Sequence, residues 1–201
     1  ASERWVEVAR AQVEVASSHG LGVRWRATEL TVAAEVAAGP DARSRVHLVT
    51  RRVADAEREL ERAVGDAVER LAMLAGAEAT PSGLHPLALR AAALVGAADL
   101  GVLEVFAAQA SAQRERSGRT RYRPGTAVVA GATAIAEPLT VHSDGARPFG
   151  LRSAPLADEG EAVRRFALVD RGVAGELALD QREAALRRRL PNGGVRNLVV
   201  A

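Results

Sequence analysis

Residues 147–200 read RPFGLRSAPLADEGEAVRRFALVDRGVAGELALDQREAALRRRLPNGGVRNLVV, and this stretch decides the fold. Two apolar runs, 163–170 and 173–179, flank Arg171-Gly172, a tight-turn pattern, and therefore predict a β-hairpin. Asp180 is a suitable N-cap for a helix that extends to Arg189. The turn residues of 191–194 then lead into a predicted last strand, 195–200.

The N-terminal part predicts a second sheet followed by a helix. Residues 3–14 suit an amphipathic helix, although Val13-Glu14-Val15 could equally begin a strand. Three alternating runs separated by turn signals predict an antiparallel sheet: 21–26, 28–36 and 45–50. Apolar residues at helical spacing then predict a helix whose apolar face consists of Val53, Leu60, Val64, Val68, Leu71 and Leu74.

The chain divides best at its Gly-, Ser- and Pro-containing segment, residues 76–83. An Ala-rich helix is expected over 91–115, with Gly96 and Gly101 as points where it bends or divides. The predicted class is α+β, with antiparallel sheets and packed helices. We expect two closely joined lobes, an N-terminal α/β lobe over residues 1–79 and a β-rich lobe over residues 80–201.

Composition excludes several functional classes. The net charge is only +2 and every cationic side chain is Arg, which argues against a dedicated nucleic-acid binder. Without cysteine, the chain has no disulfide, no thiolate nucleophile and no cysteine metal ligand. The start of the sequence lacks a signal-peptide pattern, and the longest uncharged runs are too short to cross a bilayer, so we expect a cytoplasmic protein that is not bound to a membrane.

The order of short motifs resembles the TldD/TldE (PmbA) protease-like family, from about Val15 to Val200. The N-terminal stretch SSHGLGVRWRATELTVAAEVAAG is similar to the turn and strands of that family. The C-terminal matches are Pro155, Asp158-Glu159-Gly160, Arg164-Arg165, Leu168-Val169, Gly172-Val173, Leu177, Asp180, Ala184, Gly193 and Asn197-Leu198. The resemblance implies a TldD/TldE-like fold and a chain shorter than full-length members.

The resemblance also implies a division of labour. Catalytic TldD subunits carry a HExxxH zinc motif on one helix, but the corresponding stretch here, LRAAALVGAADLGVLEVFAAQASAQ, contains no His. The chain therefore resembles the non-catalytic TldE-type subunit, with no catalytic or metal-binding residue and no cofactor of its own. Zinc is expected in a TldD-like partner subunit. The heterodimer would hydrolyse small or unfolded peptides, possible examples being precursors of peptide natural products.

Four residues are candidates for holding a peptide substrate. Arg119 and Arg121 lie in the basic run RERSGRTRYRPG and can bind carboxylates or carbonyl groups. Asp144 and Glu159 lie in Gly-rich loops. The same arginines could instead contact nucleic acid together with Tyr122, or form a solvated loop.

Two other functions remain open at this point. One is a homo-oligomeric binding protein of the same fold without hydrolytic activity. The other is a stand-alone hydrolase that uses the region of His142, Asp144 and Asp158. An Ala-rich core with few aromatic residues also predicts that the chain is not a stable monomer.

Overall fold

The computed structural model of the chain describes residues 4–39, 42–75, 77, 81–85, 101–128 and 138–201. The chain forms two compact units, and neither is continuous in sequence. Unit 1 comprises Ala1–Glu14 with Arg24–Ala88, and unit 2 comprises Val15–Val23 with Leu89–Ala201. The sequence predicts a division between residues 79 and 80. Half of the boundary segment 76–83, namely residues 76 and 78–80, lies outside the described residues, as does the first part of the helix predicted over 91–115.

A three-stranded sheet of order β1-β2-β3 begins the chain, with β1 Arg4–Ala16, β2 Gly22–Ala37 and β3 Arg43–Thr50. Strands β2 and β3 pair antiparallel, with Leu30 opposite Thr50. The predicted antiparallel pairing is confirmed, but the runs predicted over 21–26 and 28–36 form the single strand β2. The helix predicted over 3–14 is wrong, because residues 4–14 belong to β1. Its valines are β-branched and suit a strand, and pairing with β2 outweighs the weak helical periodicity.

A helix covers one face of β3 in unit 1. A 3-10 turn, Val53–Asp55, leads into α1, Ala56–Ala75. Val46 of β3 is buried together with Ala67 and Leu71 of α1. The predicted helix is confirmed, but its buried stripe is narrower than its apolar pattern, because Val53, Val68 and Leu74 are each more than half exposed.

The sheet of unit 2 has four strands in the order β6-β5-β4-β7. They are β4 Val141–Asp144, β5 Arg165–Asp170, β6 Val173–Ala174 and β7 Asn197–Val200. All three pairings are antiparallel. The predicted β5–β6 hairpin is confirmed: Arg171 and Gly172 both have positive φ, 46° and 79°, as a type I′ turn requires.

Three short helices accompany this sheet: α2 Val102–Gln109, α3 Ala112–Arg116 and α4 Gln181–Leu186. The predicted helix divides at Ala110 and Ser111, because Ala110 O accepts from Ala178 N at 2.7 Å and Ser111 caps α3. Asp180 caps α4 as predicted, accepting from Glu183 N at 2.7 Å. Helix α4 ends three residues before the predicted Arg189.

The core of unit 2 lies among β4, β5, α2 and α4. Its buried members are Leu103, Ala107, Ala110, Ala112, Tyr122, Val141, Phe166, Leu168, Val169, Ala174, Leu177, Leu179 and Ala184. Alanine is frequent among them, so the backbones of neighbouring elements approach closely and leave little room for substitution. Within the described residues, no helix has the length and apolar character needed to cross a lipid bilayer.

Candidate functional site

The segment 117–128 follows α3 and is held by a dense set of backbone bonds. Gly118 has a φ of +69°, which turns the chain back so that Arg119 N donates to Arg114 O at 2.8 Å. Further along, Gly125 N donates to Ala174 O at 2.7 Å, and Val128 N donates to Gly172 O at 2.9 Å. The segment is therefore attached to α3 at one end and to the β5–β6 hairpin at the other.

Tyr122 anchors the middle of this segment in the core. Its hydroxyl donates to Leu168 O at 2.5 Å and lies 3.3 Å from Glu176 O. The Phe106 ring meets the Tyr122 ring edge to face, with centroids 5.8 Å apart. Burial raises the pKa of Tyr122 to about 12, so its hydroxyl remains protonated and serves as a structural donor at neutral pH.

A cavity of about 620 Å³ opens between this segment and α2, and we call it the aromatic cavity. Its lining residues are Phe106, Gln109, Gly118, Arg119, Thr120, Arg121, Tyr122, Arg123, Thr126, Ala127, Val128 and Ala174. Rings and aliphatic groups are combined here with guanidinium groups, a mixture suited to a ligand with both apolar and anionic parts.

The three arginines of the aromatic cavity differ in their availability. Arg123 donates to Thr120 O at 3.1 Å and to Tyr122 O at 2.9 Å, so its guanidinium is part of the loop. Arg119 and Arg121 are exposed, and neither side chain makes a hydrogen bond or ion pair with any described residue. Two of the four candidate substrate-binding residues thus lie on one cavity wall with their donors unused.

A second recess, of about 640 Å³, lies beside α3, and we call it the arginine cleft. It is lined by Gln113, Arg114, Arg116, Ser117 and Arg119. Arg119 lines both recesses. The backbone here is fixed, because Arg114 O accepts from both Arg119 N and the Ser117 hydroxyl, the latter at 3.1 Å.

A buried carboxylate supports the arginine cleft from behind. The Glu183 side chain is only 3% exposed, and its Oε1 accepts from Arg116 Nε at 2.9 Å. Arg187 extends from α4 to Glu115 at 2.8 Å and lies 3.9 Å from the second Glu183 oxygen. Its hydrogen bond holds the pKa of Glu115 below its usual value. These ion pairs join α3 to α4.

Asp144 and Glu159, the other two candidates, have local structural contacts. Asp144 ends β4, and its Oδ1 accepts from Ala146 N at 3.1 Å in the following turn. Glu159 accepts from Gln181 N at 2.9 Å and so assists Asp180 at the start of α4. Neither residue lines the aromatic cavity or the arginine cleft.

Ser143, which lies between His142 and Asp144 in β4, has a structural role. Ser143 is fully buried, and its hydroxyl accepts from Arg196 N at 2.9 Å. His142 and Asp144 point to the opposite side of β4 from Ser143, as strand alternation requires. The hydroxyl of Ser143 is therefore used in a structural hydrogen bond.

The described side chains do not form a zinc site. All four histidines are described and lie apart in the chain: His19 follows β1 in a turn, His47 is in β3, His142 is in β4, and His85 bonds Pro81 O at 2.7 Å. Among the described residues, no three His, Asp or Glu side chains converge in a way that could hold a metal ion.

Sequence reasoning found the arginines but missed the residues that frame them. In the sequence, Phe106 is only one residue of the helix predicted over 91–115. Glu183 is only one residue of the helix predicted after Asp180, because its partner Arg116 is 67 residues away. Tyr122 had one usable signal, since its ring is a large apolar group and a buried tyrosine hydroxyl usually finds a hydrogen-bond partner.

A match to a family model defines the class of the second half of the chain as a metallopeptidase-type C-terminal domain. A family model described as PmbA/TldA metallopeptidase C-terminal domain matches residues 96–199, just over half of the chain. The chain belongs to the PmbA/TldD family. No curated protein sequence gives a significant match.

Solved structures share the same fold. A candidate modulator of a DNA gyrase from Thermotoga maritima MSB8 has a TM-score of 0.74 and 20% identity, covering 98% of this chain and 45% of its own. TldE from Thermococcus kodakarensis has a TM-score of 0.65 and 18% identity, covering 98% and 46%. A candidate modulator of DNA gyrase from Bacteroides thetaiotaomicron VPI-5482 has a TM-score of 0.53 and 15% identity, covering 92% and 41%. The chain thus spans less than half the length of these proteins, and at such identities the likeness concerns the fold.

Proposed function

We propose that this chain is a TldE-like, non-catalytic subunit that acts with a zinc-bearing TldD-like subunit to hydrolyse amide bonds in small or unfolded peptides. Its task is to hold the peptide while the partner supplies the zinc. Such a pair suits the maturation of a peptide natural product. The observation that carries the proposal is the aromatic cavity, where Arg119 and Arg121 stand unpaired beside an apolar wall.

The lining of this cavity matches the chemistry of a peptide. Phe106, Tyr122 and Val128 can contact an apolar side chain, and dispersion and burial favour that contact. The guanidinium of Arg119 or Arg121 can donate two parallel hydrogen bonds to a carboxylate, or one to a backbone carbonyl. Neither guanidinium must first leave a partner among the described residues.

The assignment of zinc to a partner follows from ligand chemistry. A HExxxH helix places two His on one face to bind zinc and a Glu to activate the bound water. The sequence 89–113 has no His, and the chain has no Cys. Holding the substrate is a separate contribution, because correct orientation lowers a reaction barrier by roughly several kcal/mol.

Reconstitution tests the proposal. The chain would be mixed with the HExxxH member of the same family encoded in the same genome, and amide hydrolysis of an unfolded peptide followed by mass spectrometry. We expect activity that needs both chains and is lost with a chelator. Activity of this chain alone in the presence of chelator would refute the proposal, as would a mixture no more active than the zinc protein by itself.

Two variants test the role of the cavity in that assay. Arg119→Ala and Arg121→Ala should each lower the activity of the mixture, by about threefold for an exposed charge contact. Arg45→Ala is a matched control, since Arg45 is an exposed arginine of unit 1 whose side chain makes no hydrogen bond or ion pair with the described residues. Unchanged activity of both cavity variants would refute the arginine assignment while leaving the subunit role standing.

A further inference from the structure

The arginine cleft has a role that the aromatic cavity does not explain. Residues 113–128 carry five arginines and a single acid, Glu115, although the whole chain has a net charge of only +2. Positive charge is thus concentrated along one short segment. A concentration of one sign in a concave surface raises the local density of oppositely charged ligands.

The acidic side chains of α3 and α4 are already in ion pairs with arginines. Glu115 is paired with Arg187 at 2.8 Å, and Glu183 is paired with Arg116 at 2.9 Å. Neither carboxylate lines the cleft. The positive charge facing a ligand is therefore not compensated by the acids of α3 and α4.

The guanidinium groups of the cleft are available, and the backbone that carries them is fixed. Arg114 and Arg119 are exposed and make no side-chain bond with the described residues. Arg116 uses Nε for Glu183, which leaves its terminal nitrogens as further donors. Because Arg119 N donates to Arg114 O, the bases of these two side chains are held close together.

We propose that this chain selects acidic peptides: an apolar side chain enters the aromatic cavity while carboxylates a few residues along the same peptide bind Arg114 and Arg119 in the arginine cleft. This inference rests on the proposed function, since it names the substrate class for the same site. Arg119 lines both recesses, so one extended peptide can occupy the two together. Carboxylates suit the guanidinium fork, which binds them through two hydrogen bonds.

Peptide binding to the isolated full chain provides the test. The probe is Gly-Ser-Phe-Gly-Glu-Glu-Gly-Ser carrying an uncharged fluorophore, compared by anisotropy with a peptide that has Gln in place of both Glu and with one that has Ala in place of Phe. We expect the Glu peptide to bind about tenfold tighter than the Gln peptide, because each exposed pair contributes roughly threefold. The preference should shrink as salt rises from 50 to 500 mM.

Substitutions then assign the preference to residues. Arg114→Gln and Arg119→Gln should reduce the preference for Glu over Gln, whereas Arg45→Gln should preserve it. Only Arg119→Gln should also weaken binding of the Gln peptide, since Arg114 does not line the aromatic cavity. Circular dichroism of each variant verifies that these exposed substitutions leave the fold intact.

Several results would overturn the inference. They are equal affinity for the Glu and Gln peptides, no binding of either, or an unchanged preference in both cleft variants. Tighter binding of a single-stranded thymidine oligonucleotide than of the Glu peptide would assign the cleft to nucleic acid instead. No zinc partner is present in this assay, so a preference for Glu combined with failed hydrolysis would count against the proposed function alone.

Discussion

Asn192 is a buried polar side chain whose hydrogen bonds hold parts of unit 2 together. It is fully buried, and its Nδ2 donates to Leu177 O at 2.8 Å while its Oδ1 accepts from Leu179 N at 2.8 Å. The same oxygen also accepts from Gly194 N at 3.3 Å. The side-chain amide of Asn192 thus supplies hydrogen bonds that a neighbouring strand would otherwise make with residues 177–179.

Asn197 offers a matched comparison because it also makes three side-chain hydrogen bonds. Its Oδ1 accepts from Arg152 N at 2.8 Å, and its Nδ2 donates to Asp144 O at 2.7 Å and to the Ser153 hydroxyl at 2.9 Å. The difference is solvent access, since Asn197 is half-buried and Arg152 is exposed. Groups released at this site can bind water.

The expected magnitudes follow from that difference. Asn192→Ala leaves the Leu179 N–H and the Leu177 carbonyl without a partner, and both residues are at most 8% exposed. At roughly 1–3 kcal/mol for each of the two orphaned buried groups, the loss is about 2–6 kcal/mol. Asn197→Ala should cost only about 1 kcal/mol, the net contribution of hydrogen bonds that water can replace.

Hydrogen exchange measures the two losses separately from unit 1. Peptides from β5 report the opening of unit 2, and peptides from β3 serve as an internal control in unit 1. Because each 1.4 kcal/mol changes an equilibrium tenfold, Asn192→Ala should accelerate exchange in β5 by roughly 30-fold or more. Asn197→Ala should accelerate it by roughly fivefold. Equal acceleration by the two variants would refute the reasoning from burial.

Three further predictions concern other parts of unit 2. Gly175→Ala should lower the melting temperature more than Gly194→Ala, because a Cβ at Gly175 would lie 2.3 Å from Ala167 O. A Cβ at Gly194 would meet no neighbouring atom, and only the φ of +72° would strain that substitution. The reverse order in calorimetry would contradict this prediction. Tyr122 is the only tyrosine, so absorbance at 295 nm should titrate near pH 12 in the folded chain. Because its pKa is raised, the stability that the protonated hydroxyl gives to the fold is complete below about pH 10 and is lost between about pH 10 and pH 12. A midpoint near 10 without unfolding would contradict the buried hydroxyl. Because the pKa of Glu115 is lowered in the folded chain, its ion pair stabilises the fold above the pKa of Glu115 in the unfolded chain, and this stability is lost as the pH falls through the pKa in the folded chain. In Arg187→Ala, the NMR titration midpoint of Glu115 should rise. An unchanged midpoint would show that Arg187 is not the cause of the lowered pKa.

The sequence predicted those parts of the fold that depend on local signals. The hairpin at Arg171-Gly172 and the Asp180 cap were both predictable, because turn and cap preferences operate over a few residues. The helix predicted over 3–14 failed because the partner that makes this segment a strand is β2, and pairing is not visible in local periodicity.

The candidate site was predictable only in its charged residues. A basic run is visible in sequence, so Arg119 and Arg121 were identified, and both line the aromatic cavity. The cavity wall formed by Phe106 depends on how α2 packs against Tyr122, a tertiary contact without a local signature. Asp144 and Glu159 were chosen by residue type in Gly-rich loops, where a carboxylate often caps a turn or a helix.

The discontinuity of the two units has a consequence for biosynthesis. Residues 15–23 leave the ribosome before most of unit 1, yet they belong with residues that are translated later still, such as Gly160, whose added Cβ would meet Leu21 at 3.2 Å. Unit 2 therefore cannot complete itself vectorially, and its first segment must wait through the synthesis of nearly all of unit 1. Long-range closure of this kind slows folding, because the contact between residues 21 and 160 cannot form until the chain between them has been made.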